Sequence, residues 1–92
     1  MTIPMFQPTS SLTVANAKSV LEQGLRALAS GENKVDLANL ATVDSSAVAV
    51  LLAWRRAATA RGMALTFDHV PASLLSLAQL YGVAELLALQ PA

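Results

Sequence analysis

Three segments with helical spacing of apolar residues, each followed by a glycine, alternate with short apolar segments along this chain of 92 residues. The helical segments end at Gly31, Gly62 and Gly82, and glycine is common directly after a helix because it adopts a left-handed backbone without strain. Alternation of strands and helices predicts an α/β fold whose crossovers obey the right-handed rule. We expect a small mixed sheet of about four strands, with three main helices largely on one face.

Short strands are expected between the helices and before the first of them. Pro4 and Pro8 interrupt the first extended segment, residues 3–13, and proline confines a strand to the edge of a sheet or to a bulge. A poor edge strand is therefore expected near residues 5–7. Three further strands are expected at residues 12–14, 35–37 and 64–68.

Capping residues set the expected helix boundaries. The predicted helices run from an N-cap at Asn16 to about Ser30, from Asp44 or Ser45 to Arg61, and from Pro71 to Gly82, with a last helical turn over 83–87. Gly24 lies inside the apolar stripe of the first helix, where it costs about 1 kcal/mol relative to alanine. It indicates a close approach of this helix to the sheet.

The composition favours a single domain over residues 1–92 that docks on a partner. Apolar residues make up 54% of the chain, charged residues only 13%, and the formal net charge is zero. Little charge is left to cover the surface, and zero net charge favours association, including self-association. Without a basic cluster, nucleic-acid binding is not expected. With no signal-peptide pattern and no apolar run of membrane-spanning length, a cytoplasmic location is expected.

The residues that enzymes commonly use are missing or scattered. The sequence has no cysteine, and its four glycines are isolated, so it contains no phosphate-binding loop. The single histidine, His69, precedes a Val-Pro turn, where a structural or solvated role is expected. No sequence-evident base can activate Ser45 or Ser46. We therefore expect no catalytic activity, no cofactor and no metal site.

The second helix has two different faces at 100° per residue. Val48, Leu51, Arg55 and Ala58 fall on the expected core side, with Leu52 and Trp54 at its margins and the Arg55 charge reaching water. The opposite side is small and nearly uncharged, which suits close approach of another protein. It comprises Ser46, Ala49, Val50, Ala53, Ala57 and Ala60.

Two serines stand where this helix begins. A helix N-terminus has free N–H groups and a partial positive charge, so a serine there can cap the helix, accept a phosphate or meet a partner's polar group. Phosphorylation of Ser46 or Ser45 would add a charge that the helix tolerates but an apolar interface does not. These alternatives remain open from the residues alone.

The segment Asp44-Ser45-Ser46-Ala47-Val48-Ala49-Val50-Leu51-Leu52 resembles the signature of the STAS domain, Asp-Ser-Ser-Gly-Leu-Gly-x-Leu-Leu. The resemblance covers roughly residues 12–88. It includes Val35-Asp36-Leu37 before the signature, and Arg61-Gly62-Met63-Ala64-Leu65-Thr66-Phe67, Val70-Pro71-Ala72-Ser73-Leu74 and Leu80-Tyr81-Gly82-Val83 after it. It implies a STAS-like α/β fold.

Two branches of this family imply different functions. One is the small STAS subunit of the Mla phospholipid-transport ABC system, which binds the cytoplasmic ATPase subunit. The segments Leu12-Thr13 with Asn16-Ala17 and Leu77-Ala78-Gln79-Leu80-Tyr81-Gly82-Val83 are similar to that branch, as is the short N-terminus.

The other branch contains anti-sigma-factor antagonists, which are switched by phosphorylation of a serine equivalent to Ser46. Ala47 replaces the glycine that usually follows the two serines, which counts against the antagonist branch. A nucleotide-binding STAS module is a third alternative that the missing phosphate loop disfavours.

The resemblance to the Mla subunit implies a partner-binding surface at the start and outer face of the second helix, with a contribution from the start of the third helix. Ser45 would lie at its centre. The expected partner-binding residues are Asp44, Ser45, Ser46, Ala49, Val50 and Ala53. The chain would reach the inner face of the inner membrane only through its ATPase partner.

Overall fold

The computed structural model describes residues 6–8, 10–87 and 89–91. Four helices are present in these ranges: α1 (Ala17–Ala29), α2 (Ser45–Ala60), α3 (Ala72–Leu80) and α4 (Ala84–Leu87). Five short strands accompany them: β1 (Ser11–Leu12), β2 (Lys34–Asp36), β3 (Thr42–Val43), β4 (Thr66–Val70) and β5 (Leu89–Pro91). The predicted α/β class is confirmed, and β3 and β5 are elements that the sequence did not predict.

The strands form two small parallel sheets where we expected one mixed sheet. β1 pairs with β3, and the second sheet has the order β2-β4-β5. All of these pairs are parallel, because intervening helices return the chain to the same end of the sheet. Phe6 also forms a parallel bridge with Val35 of β2. That bridge agrees with the predicted edge segment, of which Met5 lies outside the described residues.

The capping residues and glycines predicted the helix ends correctly, although one capping side chain does not make the expected hydrogen bond. Asp44 is the N-cap of α2, and its Oδ1 accepts a hydrogen bond from the Ser46 N–H at 2.8 Å. Asn16 precedes α1, but its side chain makes no cap bond. Its Nδ2 instead donates to the Ser11 carbonyl oxygen at 2.9 Å. Gly31 follows α1 with φ of 90°, as the sequence predicted.

Trp54 occupies the centre of the packing between α1 and α2. Its side chain is 1% exposed, and its Nε1 donates to the Leu21 carbonyl oxygen at 3.0 Å. A Cβ atom at Gly24 would overlap the indole ring. Gly24 therefore permits close approach of α1 to α2, and the expectation that α1 approaches the sheet at this residue is corrected.

The buried face of α2 is wider than the helical periodicity predicted. Val48, Leu51 and Ala58 are buried as expected, but Val50 is also buried, at 4% exposed. The prediction that Val50 faces solvent is wrong because α1 packs against that side of α2. Arg55 differs as well: its Nη2 donates to the Leu87 carbonyl oxygen at 2.6 Å, so the guanidinium turns toward α4.

Candidate partner-binding surface

The Asp44 carboxylate joins the start of α2 to the loop before α1. One oxygen accepts the Ser46 N–H, and the other, Oδ2, accepts the Val14 N–H at 3.0 Å. The hydrogen bond from the Val14 N–H, followed by those from Ser46, lowers the pKa of Asp44 although partial desolvation opposes the shift. Because both oxygens are engaged within the chain, Asp44 positions the predicted partner-binding residues around it. Direct contact of Asp44 with a partner stays a prediction.

The two serines of the signature have different environments. Ser45 is exposed, whereas Ser46 is half-buried, its N–H donates to the Asp44 carboxylate, and its side chain contributes to the lowered pKa of Asp44. A phosphate on Ser46 would therefore place a second negative charge beside Asp44, and adjacent like charges repel. Phosphorylation of either serine stays a prediction. The position of Ser46 beside the Asp44 carboxylate is less favourable to a phosphate group than the sequence indicated.

Ser45, Ala49 and Ala53 form a ridge of small residues along the outside of α2. Ser45 and Ala49 are exposed and Ala53 is half-buried. On the α1 side, the ridge borders a groove of about 280 Å³ that is lined by Ala17, Lys18, Leu21, Ser46, Ala49 and Val50. Val50 thus lies at the floor of this groove, where little of its side chain is available to a partner.

On its other side the ridge borders a depression of about 410 Å³ that is lined by Ser45, Val48, Ala49, Leu52, Tyr81 and Val83. Tyr81 immediately follows α3 and is 54% exposed, and Leu86 of α4 is 64% exposed. The C-terminal end of α3 therefore borders the start of α2, whereas we expected the start of the third helix to do so. Large exposed apolar side chains on a small domain are typical of an interaction surface.

Tyr81 and Leu86 are not among the residues that the sequence predicts for this surface. Tyr81 ends the third apolar helical segment, and apolar residues at helical spacing by themselves predict burial. Gly82, with φ of 72°, turns the chain after Tyr81 and lets α4 begin in a new direction. The signal that could have identified both residues is the presence of large apolar side chains on each side of a helix-ending glycine.

A second polar cluster lies at the carboxyl ends of β2 and β4. The buried Asp36 accepts hydrogen bonds from the Ala38 N–H at 3.0 Å and from Gln7 Nε2 at 2.8 Å, and His69 Nδ1 lies 3.0 Å from its Oδ1. The Ala38 N–H is the largest cause of a lowered pKa for Asp36; Gln7 and His69 also lower this pKa, while burial opposes them. The cluster fixes the strand ends. In the described part of the chain, no three His, Cys, Asp or Glu residues are grouped to hold a metal ion.

A small parallel α/β domain with an Asp-Ser-Ser step at the start of α2 is the arrangement that the resemblance to STAS domains implies. Comparison with protein families matches residues 8–89 to the family described as "Mlab, STAS domain". The chain belongs to this family. No curated protein and no solved structure gave a significant match. Among the described residues, no helix is long and apolar enough to cross a membrane.

Proposed function

We propose that this chain is the small, non-catalytic STAS subunit of a Mla-like phospholipid-transport ABC complex. It binds and stabilises the cytoplasmic ATPase subunit and tunes its activity, and so supports the lipid asymmetry of the outer membrane. The family match supports this assignment. The observation that carries it is the uncharged ridge of Ser45, Ala49 and Ala53, which exposed apolar side chains flank on one side.

The ridge has the physical properties of a close protein contact. α2 contains no acidic residue, and its first two turns contain no charge at all, so a partner can cover them without desolvating an ion. Small side chains allow the backbone of a partner helix to approach, while Tyr81 and Leu86 supply apolar area at about 25 cal/mol per Å² buried. The exposed Ser45 hydroxyl group can pair with a polar group at the centre of the contact.

Co-purification with the ATPase subunit tests the proposal. Ala49→Arg adds a long charged side chain to the ridge, and Ala29→Arg makes the same change at an exposed alanine at the end of α1. An unpaired charge at the centre of an interface costs several kcal/mol, so we expect Ala49→Arg to weaken binding roughly 100-fold. Ala29→Arg should bind like the wild type.

ATP hydrolysis provides the functional readout. Addition of the wild-type chain or of Ala29→Arg should change the rate of ATP hydrolysis relative to the ATPase alone. Addition of Ala49→Arg should leave the rate equal to that of the ATPase alone. If the wild-type chain neither co-purifies with the ATPase nor alters its rate, the proposal is wrong. Specific labelling of Ser46 by a serine kinase from the same cells would instead support the anti-sigma-factor antagonist function.

A further inference from the structure

A third groove continues the surface toward the C-terminal half of α2. It lies between α2 and α4, has a volume of about 440 Å³, and is lined by Leu52, Arg55, Arg56, Thr59, Ala60 and Leu86. Leu52 also lines the depression beside Ser45, so the two form one continuous surface. We infer that this groove, which we call the arginine groove, receives an acidic side chain flanked by apolar residues of the ATPase partner; this inference rests on the proposed function.

The positive charge of the arginine groove has no counter-charge in the described part of the chain. The one ion-pair contact there joins His69 to Asp36, on another part of the molecule. Glu85 belongs to α4 but lines a separate depression with Gln79, Gly82 and Ala84. Arg56 is exposed on α2 without an acidic neighbour in that helix. Any carboxylate that pairs with Arg55 or Arg56 therefore comes from outside the described residues.

Arg55 is held rigidly in the wall of the groove. Its Nη2 donates to the Leu87 carbonyl oxygen, and its Cζ lies 5.7 Å from the centroid of the Phe67 ring. The Nε atom is buried and has no hydrogen-bond acceptor among the described atoms. Neither the carbonyl nor the ring neutralises the guanidinium, so its positive charge persists at the groove.

The combination of positive charge and apolar surface in the arginine groove indicates which kind of partner segment binds there. A purely apolar partner segment would remove water from Arg56 without supplying hydrogen-bond acceptors in its place. Burial of such an unpaired charge is strongly unfavourable. A carboxylate can accept two N–H bonds from one guanidinium. Apolar neighbours of that carboxylate would cover Leu52 and Leu86 on either side of it. Charge complementarity therefore favours an Asp or Glu within an apolar segment of the partner.

Charge reversal tests the inference in the full chain with the purified ATPase subunit. Arg56→Glu reverses the charge in the groove, and Arg26→Glu makes the same change of net charge at an exposed position of α1. We expect Arg56→Glu to raise the Kd for the ATPase at least about tenfold, and to make the Kd less sensitive to salt. Arg26→Glu should change the Kd less than about twofold, and Arg56→Lys, which keeps the charge but loses the two-bond geometry, should raise the Kd less than Arg56→Glu does.

The outcomes separate this inference from the proposed function. If the wild type binds and Ala49→Arg does not, but Arg56→Glu behaves like Arg26→Glu, the groove inference is wrong and the proposed function stands. If Arg56→Glu reduces only co-sedimentation with phosphatidylglycerol vesicles, the groove binds lipid headgroups. If it abolishes only self-association in sedimentation velocity, the occupant is a second copy. Either result overturns the inference, and failure of the wild type to bind the ATPase overturns both proposals.

Discussion

Gly24→Ala should destabilise the protein although it replaces glycine by the best helix former. In an open helix this change would stabilise by about 1 kcal/mol. Here the new Cβ would overlap the Trp54 indole ring, which the Leu21 carbonyl oxygen holds through a hydrogen bond. Phe6 also packs edge-on against that ring, at 5.5 Å between centroids. The indole therefore has little freedom to move away.

The expected magnitude follows from these opposing effects. Overpacking costs about 1–3 kcal/mol, and strain on the indole hydrogen bond adds about 1 kcal/mol. After subtraction of the gain in helix propensity, we expect a net loss of about 2 kcal/mol. That corresponds to a fall in Tm on the order of 10 °C for a domain of this size.

Thermal and urea unfolding of four proteins forms the assay: the wild type, Gly24→Ala, Trp54→Phe and the double variant. Phenylalanine has a smaller ring without the indole Cζ2 atom and without the hydrogen bond to the Leu21 carbonyl oxygen, so it can move away and Gly24→Ala should be less destabilising in the Trp54→Phe background. This cycle isolates the contact from other effects of each change. If Gly24→Ala raises the Tm of the wild type, the close packing of α1 on α2 is wrong.

Three further changes test the polar contacts. Asp36→Asn should lower the free energy of unfolding by about 1–2 kcal/mol at pH 7. Because the folded pKa of Asp36 is lowered, its contribution is complete above the unfolded pKa of about 4 and is lost as pH falls through the folded value, so the difference should shrink in acid. Asp44→Ala should lower the Tm and speed amide exchange at Val14 and Ser46, measured by NMR. Arg55→Met should change the free energy of unfolding by less than about 1 kcal/mol, since methionine keeps the packing and removes a poorly compensated charge.

Each of these three has a clear contrary result. A difference for Asp36→Asn that grows as pH falls would contradict the hydrogen bonds to the carboxylate. Unchanged exchange at Val14 in Asp44→Ala would mean that the carboxylate does not hold that loop. A loss of several kcal/mol in Arg55→Met would mean that the guanidinium stabilises the fold more than its contacts indicate.

The helix boundaries could be predicted because their causes are local. Asp44 precedes α2 and accepts the Ser46 N–H, and glycine follows α1 where the backbone needs positive φ. Asn16 shows the limit of such signals, since it stands at the predicted position but bonds to the preceding loop. The asparagine correctly predicts where α1 begins, but which hydrogen bonds its side chain makes depends on the neighbouring residues of the folded chain.

Burial on α2 could not be predicted from periodicity alone. Val50 lies nearly opposite Val48 in a helical projection, yet it is buried because helices contact α2 on more than one side. Tyr81 follows an apolar stripe, yet it is exposed because the chain turns at Gly82. β5 is a short segment whose pairing with β4 joins residues distant in sequence, a contact that local pattern does not encode.

Site-specific cross-linking to the ATPase subunit tests the central claim most directly. The chain has no cysteine, so Ser45→Cys can carry a thiol-reactive photo-cross-linker without background. Ser76→Cys, an exposed position on α3, is the matched control. The account predicts a strong cross-link to the ATPase from position 45 and a weak one from position 76. An efficient cross-link from position 76 with none from position 45 would contradict docking through the start of α2.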